Sequence, residues 1–97
     1  MKAGILARVD KPQAAALTRS LCEELGRRGV EVLLEKRTAE LTGVRGVDEQ
    51  ELAAACDLLV VLGGDGTILR ALHRMRGAVP PIFGINLGSL GFLTGVH

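Results

Sequence analysis

The sequence predicts an α/β fold in which a parallel sheet carries helices on both faces. Apolar runs typical of strands alternate with helical segments in the order strand, helix, strand, short helix, strand, helix, strand, and this alternation favours parallel pairing. The third predicted strand is apolar throughout, as expected for a strand buried on both faces. With 97 residues, 47% hydrophobic and 24% charged, the chain is large enough for one core. We therefore expect residues 1–97 to form a single α/β domain.

The first strand is predicted over residues 3–9 and is followed by a helix. Asp10 is placed at the N-cap of this helix and Pro12 in its first turn, where both residue types are favoured. Four apolar residues at helical spacing form its core-facing side: Ala14, Leu17, Leu21 and Leu25. Gly26 and Gly29 are predicted to end the helix.

The middle of the chain has one clear helix signal. A second strand is predicted over residues 30–34, and residues 36–47 are predicted as a loop because they are polar and lack a periodic pattern. Asp48 and Glu51 form an Asp-x-x-Glu pair, which is typical of a helix start. A short helix is therefore expected over residues 49–55.

The remaining elements are a third strand over residues 58–62, a helix over residues 68–76 and a fourth strand over residues 82–85. The apolar side of this helix is predicted to carry Ile68, Leu72 and Met75. Arg70 and Arg74 lie four residues apart on the opposite side, so we expect solvent-exposed charges there.

Composition argues against several classes of protein. A net charge of +1 gives no strong field for nucleic acid or anionic lipid, and Phe83 and Phe92 are the only aromatic residues, too few for base stacking. No apolar run approaches the roughly 18 residues of a membrane span, and the N-terminus lacks a signal-peptide pattern. Cys22 and Cys56 have no metal or redox spacing, so we expect two reduced, half-buried thiols in a cytoplasmic protein with no metal-ligating cluster.

A glycine-rich turn, Gly63-Gly64-Asp65-Gly66-Thr67, joins the third strand to the following helix. Backbone N–H groups and the positive helix end make such a turn favourable for phosphate. An aspartate there would repel phosphate by roughly 4 kcal/mol at about 4 Å and an effective dielectric near 20. It therefore indicates a metal ion or a proton to be accepted, and hence phosphoryl transfer. The alternative is that Asp65 or Thr67 only caps the helix.

The turn differs from two common phosphate-binding motifs. No Gly-Lys-Ser/Thr follows it, as a Walker A loop requires, and the third glycine of the dinucleotide fingerprint is absent. A second glycine-rich segment, Asn86 to Phe92, follows the fourth strand at the same predicted edge. Asn86 either forms an Asx-turn or contacts a ligand. Phe92 either packs against further protein or offers a flat face to a base or ribose.

These two segments together resemble the N-terminal domain of NAD kinases. The similarity is carried by residues 63–67 and 84–94, and it runs over most of the chain, including residues 8–12. The first motif alone is also found in diacylglycerol and sphingosine kinases, and loosely in phosphofructokinases. The lipid kinases have a different downstream segment, so the pair of motifs is more specific.

The resemblance implies transfer of the terminal phosphoryl group of ATP to the 2′-hydroxyl of the adenosine ribose of NAD, giving NADP, with Mg²⁺ or another divalent ion assisting. Asp65 would activate or orient that hydroxyl. The implied phosphate-binding residues are Gly63, Gly64, Gly66 and Thr67. Asn86 and Phe92 would contact NAD.

The resemblance also implies a longer, two-domain kinase that is cytoplasmic and homo-oligomeric. The family's C-terminal all-β domain and its Asn-Glu segment are absent from these residues, and Gly95 stands where many relatives have an acidic residue. We therefore expect the isolated chain to be inactive. Two alternatives are a kinase acting on a lipid or other alcohol and a non-catalytic nucleotide-binding module. The choice between ATP and polyphosphate as donor stays open.

Overall fold

A computed structural model describes residues 1–75 and 79–87, together with the backbone of residues 93–96. The elements in chain order are β1 (Lys2–Ala7), α1 (Gln13–Arg27), β2 (Glu31–Leu34), α2 (Lys36–Glu40), α3 (Glu49–Ala55), β3 (Leu58–Gly63), α4 (Asp65–Arg74), β4 (Ile82–Asn86) and β5 (Leu93–Val96). No helix within the described part of the chain is long and apolar enough to cross a membrane.

The five strands form one sheet in the order β2-β1-β3-β4-β5. The first four strands are parallel, as predicted, and Ile5 of β1 lies opposite Leu34 on one side and Val60 on the other. The antiparallel β5 was not expected from the sequence. After β1 the chain continues to β2 on one side of the sheet, and after β3 it continues to β4 on the other side. The topological switch point, where ligands bind in such sheets, therefore lies beyond the carboxyl ends of β1 and β3.

Helices cover both faces of the sheet, which confirms the predicted architecture. On one face, α1 and α2 pack over a core that contains Ile5, Ala7, Ala14, Leu34, Ala39, Val60 and Leu62. On the other face, α3 and α4 pack over a core that contains Leu6, Leu52, Leu59, Val61, Ala71 and Met75. Alternate residues of β1 and β3 point to opposite faces, so β3 is apolar throughout and β1 is apolar after its first residue, Lys2.

Two predictions about helix starts are wrong. Pro12, and not Asp10, stands at the N-cap of α1, and the Asp10 carboxylate instead accepts a hydrogen bond from Arg8 Nε at 2.9 Å. The segment predicted as a loop begins with helix α2, which the Glu35 side chain caps by accepting from two backbone N–H groups. Glutamate is not among the favoured capping residues, so the pattern did not reveal this helix.

Other helix predictions are confirmed or shifted. The Asp48 carboxylate accepts from Glu51 N at 2.8 Å and caps α3 as expected. Helix α4 begins at Asp65, three residues earlier than predicted. Its buried side carries Ala71 and Met75, whereas Leu72, expected in the core, is 37% exposed.

Candidate functional site

The glycine-rich turn is tighter than the sequence suggests, because β3 ends at Gly63 and α4 begins at Asp65. A Cβ atom at Gly63 would overlap the hydroxyl oxygen of Thr67 and lie 2.7 Å from its Cβ. Only glycine allows this close approach of strand and helix. The Thr67 side chain is buried, and its Oγ1 accepts a hydrogen bond from Gly64 N at 3.4 Å.

The Asp65 carboxylate does not cap the helix. The N-cap is Gly64, which provides no side-chain hydrogen bond, and Asp65 is exposed at the first helical position. Within the described residues its carboxylate has no hydrogen-bond or ion-pair partner. A Cβ atom at Gly64 or Gly66 would meet nothing within 4 Å. The first turn of α4 therefore presents backbone N–H groups and one free carboxylate to solvent at the positive helix end.

Two cavities flank this turn. The smaller one, about 120 Å³, is lined by Gly63, Gly64, Asp65, Ile68, Gly84, Ile85 and Asn86. Asn86 lies opposite Gly63 in the register of β3 and β4, which is why the two predicted segments meet here. The larger cavity, about 230 Å³, lies on the side of β1 and shares Thr67 with the turn.

The larger cavity occupies the topological switch point. It is bounded by residues 6–10, which include and follow the end of β1, by Glu35 and Arg37 beyond β2, by Glu49 at the start of α3, and by one side of α4. Its wall carries four arginines, namely Arg8, Arg37, Arg70 and Arg74. It also carries three acidic residues, namely Asp10, Glu35 and Glu49.

Two of these arginines are paired locally. Arg8 Nε lies 2.9 Å from Asp10 Oδ1, and Arg74 Nη1 lies 3.0 Å from Glu49 Oε2. The hydrogen bond from Arg8 lowers the pKa of the Asp10 carboxyl below its usual value. The Arg8–Asp10 pair is exposed and contributes little to stability, whereas Glu49 of the other pair is partly buried. Both pairs fix the position of charge at the cavity wall.

A buried hydrogen-bond network supports the same wall. Glu35 is 4% exposed, and its carboxylate accepts from Arg37 N at 2.9 Å and from Thr38 N at 3.0 Å. The Thr38 hydroxyl donates to Glu35 Oε1 and accepts from Ala7 N, both at 2.8 Å. The network therefore ties the end of β1 to the start of α2. The sequence pattern does not predict this network, and its one signal in the sequence is that Glu35 directly follows a predicted strand.

The predicted site residues fall into four groups. Gly63, Gly64, Asp65 and Asn86 line the smaller cavity. Thr67 lines the larger one, and Gly66 is exposed in the first turn of α4. Phe92 lies outside the described residues. Among the described residues no three His, Cys, Asp or Glu side chains are grouped as a protein metal site would need.

Comparison with known proteins gives consistent matches. The family model described as "ATP-NAD kinase N-terminal domain" matches residues 3–97. The chain is 41% identical over 95 residues to an NAD kinase of Solibacter usitatus, covering 97% of this chain and 33% of that protein. It is 44% identical over 97 residues to an NAD kinase of Citrifermentans bemidjiense, covering 96% of this chain and 34% of that protein.

A solved structure supports the same assignment. The crystal structure of yeast NADH kinase complexed with NADH matches with a TM-score of 0.78 and 26% identity, over 97% of this chain and 33% of that chain. The chain thus spans about a third of the length of the relatives it matches. The match to the family model covers nearly the whole chain, and the chain belongs to the ATP-NAD kinase N-terminal domain family.

Proposed function

We propose that the protein carrying this chain is an NAD kinase that transfers the terminal phosphoryl group of ATP to the 2′-hydroxyl of the adenosine ribose of NAD. Membership of the family supports this proposal, as do the names of the relatives described above. The chain spans about a third of those relatives, so the proposal concerns the whole protein. The relatives named here give no support to a lipid kinase or to a non-catalytic module.

The observation that carries the proposal is the position of Asp65. Its carboxylate is exposed, has no partner within the described residues, and lies at the wall of one of the two cavities that flank the turn. A carboxylate in this position can accept the proton of an acceptor hydroxyl. The hydroxyl oxygen then bonds to the terminal phosphorus, the bond from that phosphorus to the bridging oxygen breaks, and ADP leaves with the electron pair.

The backbone around Asp65 supports the phosphoryl group. Gly64 and Gly66 leave open space above the first turn of α4, so phosphate oxygens can reach its N–H groups. Thr67 holds the turn in place through its hydrogen bond with Gly64 N. Asn86, at the wall of the smaller cavity, would contact the NAD molecule, and Phe92 is also proposed to contact NAD.

The residues present fit a divalent ion that arrives with the nucleotide. Asp65 is the single carboxylate at the turn, and Mg²⁺ commonly binds through one or two carboxylates together with substrate phosphates. Asp65 would therefore be the chain's ligand to such an ion. The ion would neutralise charge on the phosphates.

The test is Asp65→Asn in the full-length protein, with NADP formation as the measurement. We expect turnover to fall by about 10²–10⁴-fold, because the amide cannot accept the proton, while the affinity for NAD stays within a few-fold. Asp57→Asn is the matched control. Asp57 lies at the amino-terminal ends of β1 and β3, away from the turn, where its carboxylate accepts a hydrogen bond from Lys2 N. An asparagine at this position keeps an acceptor oxygen.

Unchanged turnover in Asp65→Asn would remove Asp65 from the mechanism. Phosphorylation of a diacylglycerol or sphingoid base, with NAD left unmodified, would replace the proposed acceptor. Nucleotide binding without any turnover would favour the non-catalytic module. Comparing ATP and polyphosphate as donors, and NAD and NADH as acceptors, would define the substrates.

The remaining features concern the whole protein. We propose that it acts in the cytoplasm as a homo-oligomer, and that the 97-residue chain alone does not turn over substrate. Assays of the chain beside the full-length protein, with the mass of each measured in solution, address both points. Turnover by the isolated chain would show that these residues hold a complete site.

A further inference from the structure

The larger cavity contains two arginines whose charge is not neutralised locally. Arg8 and Arg74 are paired with Asp10 and Glu49. Within the described part of the chain, the guanidinium groups of Arg37 and Arg70 have no hydrogen bond or ion pair. The described wall, with four arginines and three acidic residues, therefore has a net formal charge of +1 and two guanidinium groups that are open to a ligand.

The third acidic residue of the wall cannot supply the missing partner. Both oxygens of Glu35 accept backbone N–H groups, and the side chain is 4% exposed. One of these donors is Arg37 N, so Glu35 fixes the backbone of Arg37 and leaves its guanidinium free. The long side chain of Arg37 thus starts from a rigid point at the cavity wall.

The place of the cavity is as informative as its charge. It lies at the switch point of the sheet, where ligands bind in folds of this class. It shares Thr67 with the glycine-rich turn, whose other side carries Asp65 and the smaller cavity. A cleft with a net positive charge and unpaired guanidinium groups favours anionic ligands.

We propose that Arg37 and Arg70 bind the phosphoanhydride chain of the phosphoryl donor in the larger cavity, while the smaller cavity beside Asp65 takes the acceptor. This inference rests on the proposed kinase function and adds the separation of the two substrates by the turn. The planar guanidinium fork matches phosphate oxygens and forms two hydrogen bonds at once. ATP and polyphosphate share this chemistry.

The experiment compares Arg37→Gln, Arg70→Gln and the double variant in the full-length protein. Isothermal titration with ATP, with inorganic triphosphate and with NAD gives three dissociation constants for each variant. We expect each single substitution to weaken ATP and triphosphate by about tenfold or more, because hydrogen bonds to charged groups are the strong ones. In the double variant the affinity for ATP and for triphosphate should fall by at least about a hundredfold, whereas the affinity for NAD should change less than twofold.

The matched control is Arg27→Gln. Arg27 is the last residue of α1 and is exposed. Helix α1 ends near the amino-terminal ends of the strands, away from the larger cavity, so this substitution should leave all three dissociation constants unchanged. Far-UV circular dichroism verifies that each variant is folded. Arg37→Lys and Arg70→Lys, which keep the charge and lose the fork, should fall between the wild type and the glutamine variants.

Several outcomes would overturn the proposal. These are unchanged affinity for ATP and triphosphate in the double variant, and a loss for NAD as large as the loss for ATP. The donor is identified by whether ATP or polyphosphate yields NADP with the wild type, and the proposal requires a raised KM for that donor in the double variant. If the wild type makes no NADP but the variants lose triphosphate binding, the kinase function fails and the anion site stands.

Discussion

Two glycines of the same turn should respond to alanine in opposite directions. At Gly63 an added Cβ would lie 2.7 Å from Thr67 Cβ and 3.0 Å from its Cγ2, in a buried contact between β3 and α4. At Gly66 an added Cβ would meet nothing within 4 Å, and the residue is already helical. Gly63→Ala should therefore destabilise the fold, and Gly66→Ala should not.

The magnitudes follow from these environments. Overpacking at Gly63 should cost about 1–3 kcal/mol, a substantial part of the roughly 5–15 kcal/mol that stabilises a typical domain. Alanine at Gly66 should gain roughly 0.5–1 kcal/mol, because it removes conformational freedom from the unfolded chain. With an m-value of about 1–3 kcal/mol per molar in urea, the two midpoints should differ clearly.

Urea unfolding followed by far-UV circular dichroism is the suitable assay, since the chain has no Trp or Tyr to report by fluorescence. A double-mutant cycle with Thr67→Ala tests the proposed cause. That substitution removes Thr67 Oγ1 and Cγ2, two of the three atoms nearest the added Cβ. The cost of Gly63→Ala should therefore be smaller in the Thr67→Ala background.

An unchanged midpoint for Gly63→Ala would refute the close packing described for the turn. Additivity of the two substitutions would show that the cost arises elsewhere. In the full-length protein, Gly66→Ala should lower turnover although it preserves the fold, because the new methyl group lies where phosphate approaches the helix. Full activity of that variant would place the phosphate elsewhere.

Three further predictions concern residues that stabilise the fold. Thr38→Val should cost about 1–3 kcal/mol in urea unfolding, because it leaves the buried N–H of Ala7 without an acceptor, whereas Thr38→Ser should keep most of the stability. Asp48→Ala should cost about 0.5–2 kcal/mol by removing the cap on Glu51 N, while Asp48→Asn should cost less. Burial raises the pKa of the Cys56 thiol above its usual value. The stability that the buried neutral thiol contributes is therefore complete at neutral pH and is lost as the pH rises through the folded pKa. The urea midpoint should therefore fall more steeply between pH 8 and 10 in the wild type than in Cys56→Ala, and equal slopes would contradict this.

Sequence periodicity was sufficient for the elements that form the core. The buried strands β1 and β3 and the stripe of α1 carry strong apolar patterns, and the structure places them as expected. The errors lie where stabilisation is not local. Helix α2 has five residues and depends on a buried glutamate cap, and β5 is held by pairing with β4, which periodicity does not report.

The candidate site likewise contains residues that the sequence reveals and residues that it does not. The glycine-rich turn could be found because its residue types are unusual and its place after an apolar strand is clear. Arg37 and Arg70 could not be recognised, since Arg70 resembles any solvated charge on a helix and Arg37 lies in a segment without a pattern. Only the sheet order, which brings the ends of β1, β2 and β3 side by side, places both at one cavity.

The role proposed for Asp65 depends on position. The carboxylate is exposed. What the fold supplies is a fixed location. Gly63 is pinned against Thr67, and β3 is the central strand of the sheet, so the first residue of α4 is held by the core. The carboxylate lines the smaller cavity, and Thr67 of the same turn lines the arginine-rich cavity, so the proposed hydroxyl and the proposed donor phosphate would approach the turn from different sides. Catalysis by proximity requires this arrangement.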